Sequence, residues 1–104
     1  MSDTLNRLFA IITARKSGNP EKSYTAKLLR GGREGIAKKI TEEAGEAVIE
    51  VIKGDKTRLA EESADLLYHL MVAWAEAGLV PTDIWAVLEN RMGESGMEEK
   101  KKRG

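Results

Sequence analysis

The chain has 104 residues, enough for one domain with a single core, and we expect that domain to span residues 1–104. Seventeen basic and seventeen acidic side chains cancel, which favours neither nucleic acid nor a membrane surface as a partner. There is no cysteine, which excludes disulfides and thiol chemistry, and no apolar run approaches the roughly 20 residues of a membrane span. Because the amino terminus also lacks a signal-peptide pattern, we expect a soluble, cytoplasmic protein.

Apolar residues recur at helical spacing throughout the chain, and no stretch alternates apolar and polar residues as a strand does. We therefore predict an all-α fold, a bundle of four or five helices. The first helix carries the apolar residues between positions 5 and 12, with Ser2 or Asp3 as its N-cap, and ends near Gly18.

A basic stretch containing glycine follows. Ser23 can cap a short helix that runs to about residue 29, and Gly31 and Gly32 would end it. Glycines let backbone approach a ligand closely, which suits phosphate binding. An ordinary basic connector has the same composition, and the stretch is neither a Walker loop nor a dinucleotide fingerprint. The basic side chains around these glycines are Lys27, Arg30 and Arg33.

Two longer helices come next, at about residues 36–53 and 56–77, and form a central helical hairpin. Gly54 between them can take the left-handed conformation that ends a helix. Gly78 ends the second, and Thr82 or Asp83 can cap a last helix. The apolar faces of the hairpin are wide for a small domain, which predicts a homodimer formed through these helices. Those faces carry Ile36, Ile40, Ala44, Ala47, Val48 and Val51 on the first helix, and Leu59, Leu66, Leu67, Leu70, Met71 and Trp74 on the second.

Four acidic residues occupy matched positions in the two arms of this hairpin. Glu46 and Glu62 each lie eight residues from Gly54, and Glu43 and Asp65 each lie eleven. Within each arm the two acids are three residues apart, hence on one helical face. The four carboxylates are therefore expected to converge on one small volume.

Such a cluster needs a compensating positive charge. Lys39 can pair with Glu43, and Arg58 with Glu62, each four residues away, whereas Glu46 and Asp65 have no such cation. A hard divalent ion, Mg2+ in particular, prefers oxygen ligands and keeps waters that substrate phosphates can replace. The alternative is a solvated acidic face.

His69, the only histidine, lies four residues after Asp65. Such a histidine more often makes structural hydrogen bonds, but beside an acidic cluster it is also a candidate partner of a metal ligand or a phosphate contact. From about residue 93 the chain carries glycines and a charge run, which predicts a frayed, flexible tail.

The acid pattern, with Glu42 immediately before it, resembles the magnesium-binding signature of the MazG-type all-α nucleoside triphosphate pyrophosphatases. Further stretches make the chain similar to one family in that superfamily, the phosphoribosyl-ATP pyrophosphatases of histidine biosynthesis. These stretches are residues 23–29 (Ser-Tyr-Thr-Ala-Lys-Leu-Leu), residues 64–70 (Ala-Asp-Leu-Leu-Tyr-His-Leu), and the ending from Arg91 through Ser95, Gly96, Glu98, Glu99 and Lys100.

The resemblance implies Mg-dependent hydrolysis of a small-molecule nucleotide, phosphoribosyl-ATP, to phosphoribosyl-AMP and pyrophosphate. It implies a dimer, and it argues against disorder in the tail. It assigns metal ligation and catalysis to the four acids, with Glu42 as an outer or second-metal ligand. It also makes Lys27 a candidate phosphate ligand, with Lys39 and Arg30 as weaker ones; His69 stays a weak candidate from its place beside the acids.

Two other functions fit the residues. One is a house-cleaning pyrophosphohydrolase of nucleoside triphosphates on the same scaffold. The other is a helical dimerisation module whose acids only keep it soluble. The sequence leaves open the number of metal ions, the general base, the phosphorus attacked and any association with other enzymes of the pathway.

Overall fold

A computed structural model describes residues 3–93 of the chain. These residues form four helices and no strand: α1 Asp3–Ala14, α2 Tyr24–Lys53, α3 Lys56–Ala77 and α4 Pro81–Met92. The predicted all-α fold and its central hairpin, α2 against α3, are confirmed. The expectations for Ser2 as a cap and for the tail beyond Gly93 lie outside the described residues.

The core forms where α1 crosses the hairpin. Ile12 of α1 and Met71 and Val72 of α3 are fully buried, and Phe9 and Ile36 pack against them. Ile36 comes from α2, so one small cluster joins three of the helices. Burial of this apolar surface is the main force that fixes α1 on the hairpin.

Helix α2 is bent at the glycines where the sequence predicted a break. Ser23 caps its start, its Oγ accepting a hydrogen bond from the Ala26 backbone N–H at 3.1 Å. At Gly32 the backbone has φ 85° and ψ −177°, outside the helical region and open only to glycine. The chain then resumes as helix at once, so the predicted short helix is the first part of α2, residues 24–31.

The hairpin turn follows the predicted chemistry. Gly54 has φ 72°, and its N–H donates to the Glu50 carbonyl at 3.0 Å, which closes α2. Asp55 caps α3, its side chain accepting from the Arg58 N–H at 3.0 Å. These two residues set the register of one arm against the other, and the register places the acids.

The predicted buried face of α2 is only partly correct. Ile36 is buried, but Val48 and Val51 are 55% and 61% exposed. Glu43 and Glu50, by contrast, are buried, each with 8% of its surface exposed. The side of α2 that meets α3 is thus the edge of its apolar stripe, and the carboxylates lie between the helices. The rest of the stripe is left on the surface of the single chain.

Helix α4 begins differently from the prediction. Val80 is the N-cap and Pro81 the first helical residue, a position that suits the fixed φ of proline. Asp83, two residues further on, accepts a hydrogen bond from the Val80 N–H at 2.9 Å. Neither Thr82 nor Asp83 therefore stands at the N-cap.

The packing of α4 involves an aromatic pair, Trp74 edge-on to Trp85 at 6.3 Å between ring centroids. Between residues 3 and 93, no single helix is long and apolar enough to cross a membrane. Helices α3 and α4 taken together reach that length and composition, but they are bent by 108° where they join.

Candidate metal centre

Three carboxylates converge between the arms of the hairpin. Glu43 of α2 and Glu62 and Asp65 of α3 each offer an oxygen, and these oxygens lie within 4.8 Å of one another. Glu43 and Asp65 are one of the two pairs that counting from Gly54 placed at equal depth. Three of the four predicted acids therefore meet at one point.

The fourth acid, Glu46, lies beside the group rather than in it. Its carboxylate is close enough to raise the pKa of Glu62, because a proton on one of the two groups forms a hydrogen bond to the other and because their charges repel when both are ionised. Glu46 is exposed to solvent. Glu42, the fifth candidate, is also exposed and pairs with Lys39 at 3.2 Å. Both residues are thus exposed neighbours of the cluster and not members of it.

Two cations partly compensate the acids, as the sequence predicted. Lys39 Nζ lies 4.0 Å from Glu43 Oε2, and Arg58 Nη2 donates to Glu62 Oε1 at 3.1 Å. Arg58 also reaches two carboxylates that sequence reasoning had not paired with it, Glu61 at 3.1 Å and Glu50 of α2 at 4.0 Å. The charge of Glu62 and Glu61 raises the pKa of Arg58, and the hydrogen bond to Glu42 raises that of Lys39.

The carboxylate of Glu62 is the group of the cluster that a bound cation would stabilise most. Its side chain is buried, with 6% of its surface exposed, and among residues 3–93 its buried Oε2 has no hydrogen-bond partner. Burial raises the pKa of Glu62, the neighbouring Glu46 and Asp65 add to this, and Arg58 opposes it. An unpartnered oxygen in a low-dielectric setting is costly, and a cation relieves that cost. The donor set consists of carboxylate oxygens alone, which fits Mg2+.

An aromatic group borders the acids on the other side. His69 is buried, with 5% of its surface exposed, and its Nδ1 donates a hydrogen bond to the Asp65 carbonyl oxygen at 2.7 Å. In the neutral ring this leaves Nε2 to accept from the Tyr24 hydroxyl at 3.0 Å. Both ring nitrogens are therefore engaged, so the geometry favours a structural role for His69 over contact with phosphate.

Sequence reasoning did not single out Tyr24 as a site residue. Burial raises its pKa, Lys39 opposes the shift, and the charges of Glu43 and Glu42 add to it. Its hydroxyl thus lies within electrostatic reach of the acidic cluster. The signal that could have found it is its place in the block at residues 23–29, which is in contact here with the block at residues 64–70.

The remaining basic candidates stand apart from the acids. Lys27 and Arg30 are exposed on the first part of α2, and the described residues contain no ion pair between either side chain and the cluster. Lys27 lines a shallow hollow of about 580 Å3 together with residues 20–24. Of the four phosphate candidates, Lys39 is the one that pairs with acids of the site.

The fold is a bent helical hairpin with carboxylates gathered between its arms. This defines the class of the protein as all-α, with an acidic candidate metal site in the hairpin. The sequence profile described as "Phosphoribosyl-ATP pyrophosphohydrolase" matches residues 5–92. The chain belongs to this family.

Similar proteins cover nearly the whole chain. A phosphoribosyl-ATP pyrophosphatase of Azospirillum brasilense is 57% identical over 99 residues, 95% of this chain and 89% of its own length. One from Paramagnetospirillum magneticum is 49% identical over 102 residues, 98% and 94% of the two chains. One from Cereibacter sphaeroides is 51% identical over 100 residues, 96% and 97%.

Proposed function

We propose that this protein hydrolyses phosphoribosyl-ATP to phosphoribosyl-AMP and pyrophosphate, a step of histidine biosynthesis. The observation that carries the proposal is the convergence of Glu43, Glu62 and Asp65 around the unpartnered Glu62 Oε2. Membership of the family and the high identity of its named relatives support the choice of substrate. A cytoplasmic location stays a prediction from the sequence.

The metal we assign to the site is Mg2+. Glu43, Glu62 and Asp65 would hold it, with Glu46 beside them as a further ligand and Glu42 in an outer position. When bound, Mg2+ neutralises charge that develops on the leaving pyrophosphate and orients the phosphate oxygens.

The side chains around the acids have distinct tasks in this proposal. Arg58 holds Glu62 Oε1 from one side, which leaves Oε2 directed away from that partner. Lys39 places an ammonium group at the rim, where a substrate phosphate can replace its present partners Glu42 and Glu43.

Direct attack by water on the phosphoanhydride is the chemistry that these groups favour. The sequence has no cysteine, and both nitrogens of its single histidine are already hydrogen-bonded, which leaves neither free to activate a side-chain nucleophile. A carboxylate of the cluster that the metal does not fully use would take the proton of the attacking water.

We also propose that the protein is a homodimer. Val48, Val51 and Ile52 on α2 are 55%, 61% and 80% exposed, and Leu67 on α3 is 41% exposed. Apolar side chains left along both arms of the hairpin suit burial against a second copy. Light scattering at micromolar concentration should give twice the chain mass of 11.5 kDa; the mass of a single chain contradicts the proposal.

The activity is tested by incubating the protein with phosphoribosyl-ATP, with and without Mg2+, and assaying phosphoribosyl-AMP and pyrophosphate. A parallel panel of ordinary nucleoside triphosphates tests the house-cleaning alternative. Preference for phosphoribosyl-ATP supports the proposal, and preference for ordinary triphosphates replaces it. If Mg2+ promotes no pyrophosphate release from any substrate, the proposed enzyme is wrong.

A further inference from the structure

Two hydrogen bonds tie the start of α2 to the middle of α3. The Tyr24 hydroxyl bonds His69 Nε2 at 3.0 Å, and the hydroxyls of Thr25 and Tyr68 bond each other. The rings of Tyr24 and Tyr68 stack at 6.1 Å between centroids, and each meets the His69 ring edge-on. We call these four side chains the latch.

The latch acts on a part of α2 that the rest of the helix does not orient. Residues 24–31 are separated from the longer second part by the non-helical backbone at Gly32. Ala26 is buried, and Leu28 and Leu29 pack against the core. Apolar packing of this kind is non-directional. Within residues 3–93, the side-chain hydrogen bonds between this first part and α3 are those of the latch.

Tyr24 connects two regions that a nucleotide would have to occupy together. On one side its hydroxyl lies within electrostatic reach of Lys39 and Glu43. On the other side its ring, half exposed, lines the hollow that also contains Lys22 and Lys27. A substrate with its phosphoanhydride at the acids and another phosphate in the hollow would pass Tyr24.

We propose that Tyr24 and His69 are positioning residues for the substrate: their hydrogen bond holds the first part of α2, and with it Lys27, in fixed relation to the acidic cluster. This inference rests on the proposed function, since it assumes a substrate with phosphate groups at both places. Neither residue needs to ligate metal. The hydrogen bond sets where the phosphates bind and leaves the metal ligands unchanged.

The chain allows a test in which single atoms are removed. Tyr24→Phe keeps the ring and deletes the hydroxyl. His69→Asn keeps a donor near the Nδ1 position for the Asp65 carbonyl but loses the acceptor for Tyr24. His69→Gln supplies an acceptor near the Nε2 position instead. Ile12→Val removes a methyl group from the core, outside the four latch residues, and serves as the control for lost stability.

For each variant we would measure kcat and KM for phosphoribosyl-ATP at saturating Mg2+, and the melting temperature with and without Mg2+. Tyr24→Phe and His69→Asn should raise KM about threefold to tenfold, the size expected for one neutral hydrogen bond, with a smaller fall in kcat. The Mg2+-induced rise in melting temperature should match that of wild type. His69→Gln should bring KM nearer the wild-type value than His69→Asn does.

Several outcomes overturn the inference. If Tyr24→Phe lowers the melting temperature yet leaves KM unchanged, the latch is only structural. The latch is also only structural if Ile12→Val raises KM as much as Tyr24→Phe does. Loss of the Mg2+ effect in Tyr24→Phe or His69→Asn would place the pair in the metal site. If wild type itself releases no pyrophosphate from phosphoribosyl-ATP, the proposed function fails and the inference falls with it.

Discussion

Replacing Glu43 with glutamine should remove most of the stabilisation that Mg2+ gives to the folded protein. Glu43 supplies one of the three carboxylates that converge within 4.8 Å. Glu50, two turns further along α2, offers a matched control because its surface is also only 8% exposed but it lies outside that group. The substitutions Glu43→Gln and Glu50→Gln each remove one buried charge from the same helix.

The two variants should differ by a large margin. A ligand that binds only the folded state stabilises it by about 2.7 kcal/mol at one hundred times its dissociation constant. Loss of a group that only supports a metal ligand costs about tenfold to a hundredfold in affinity, so loss of the ligand itself should cost at least about a hundredfold. At the same Mg2+ concentration the gain then falls to about 0.4 kcal/mol.

Thermal melts with and without Mg2+ measure this directly. In a domain of this size 1 kcal/mol shifts the melting temperature by about 4–8 °C, so wild type should gain about 11–22 °C and Glu43→Gln about 2–3 °C. Glu50→Gln should keep the wild-type gain. Equal gains for the two variants would mean that burial of acids in the hairpin, and not the convergence of three oxygens, governs Mg2+ binding.

Three further predictions concern the hairpin. Glu46→Gln removes a charge beside Glu62, so the metal-free variant should be at least as stable as wild type. It should gain little stability from Mg2+ and lose most pyrophosphate release. Thermal melts run beside the activity assay check this, and retained turnover contradicts it. The pKa of Glu62 is raised from 4.5, so its contribution to stability is present below 4.5 and is lost as pH rises through the raised pKa. In metal-free urea unfolding, Glu62→Gln should therefore gain stability relative to wild type as the pH rises from below to above 4.5, and a difference independent of pH contradicts this. Gly45→Ala should raise the free energy of unfolding by about 1 kcal/mol, since an added Cβ meets no atom of the described residues within 4 Å. Gly54→Ala should lower it by about 1–2 kcal/mol, because Gly54 has φ 72°. Denaturant melts that give the same sign for both would refute the reasoning.

The location of the acidic cluster could be predicted because it depends on local rules. A glycine that must adopt positive φ ends α2 at Gly54, and equal counts along two antiparallel helices bring Glu43 opposite Asp65. The helical period then places the other two acids. The pairs of Lys39 and Arg58 with their neighbours four residues away follow from the same geometry.

The remaining features depend on tertiary packing. A helical wheel places Glu43 and Glu50 at the border of the apolar stripe of α2, but it does not show which edge of that stripe packs against α3. The contact between Tyr24 and His69 could not be predicted for the same reason, because the two residues lie 45 positions apart and meet only through the packing of α2 on α3. At α4, proline at the first helical position moved the start of the helix ahead of the side chains expected to cap it.

Because Glu43, Glu46, Glu62 and Asp65 all come from one helical hairpin, the site is assembled from contacts between residues at most 22 positions apart. Short-range contacts of this kind form early in folding. Without metal, the repulsion among these carboxylates arises as soon as the hairpin closes and persists while α1 and α4 pack onto it. A cation that binds the closed hairpin therefore speeds folding, whereas one that needed the finished bundle would only slow unfolding.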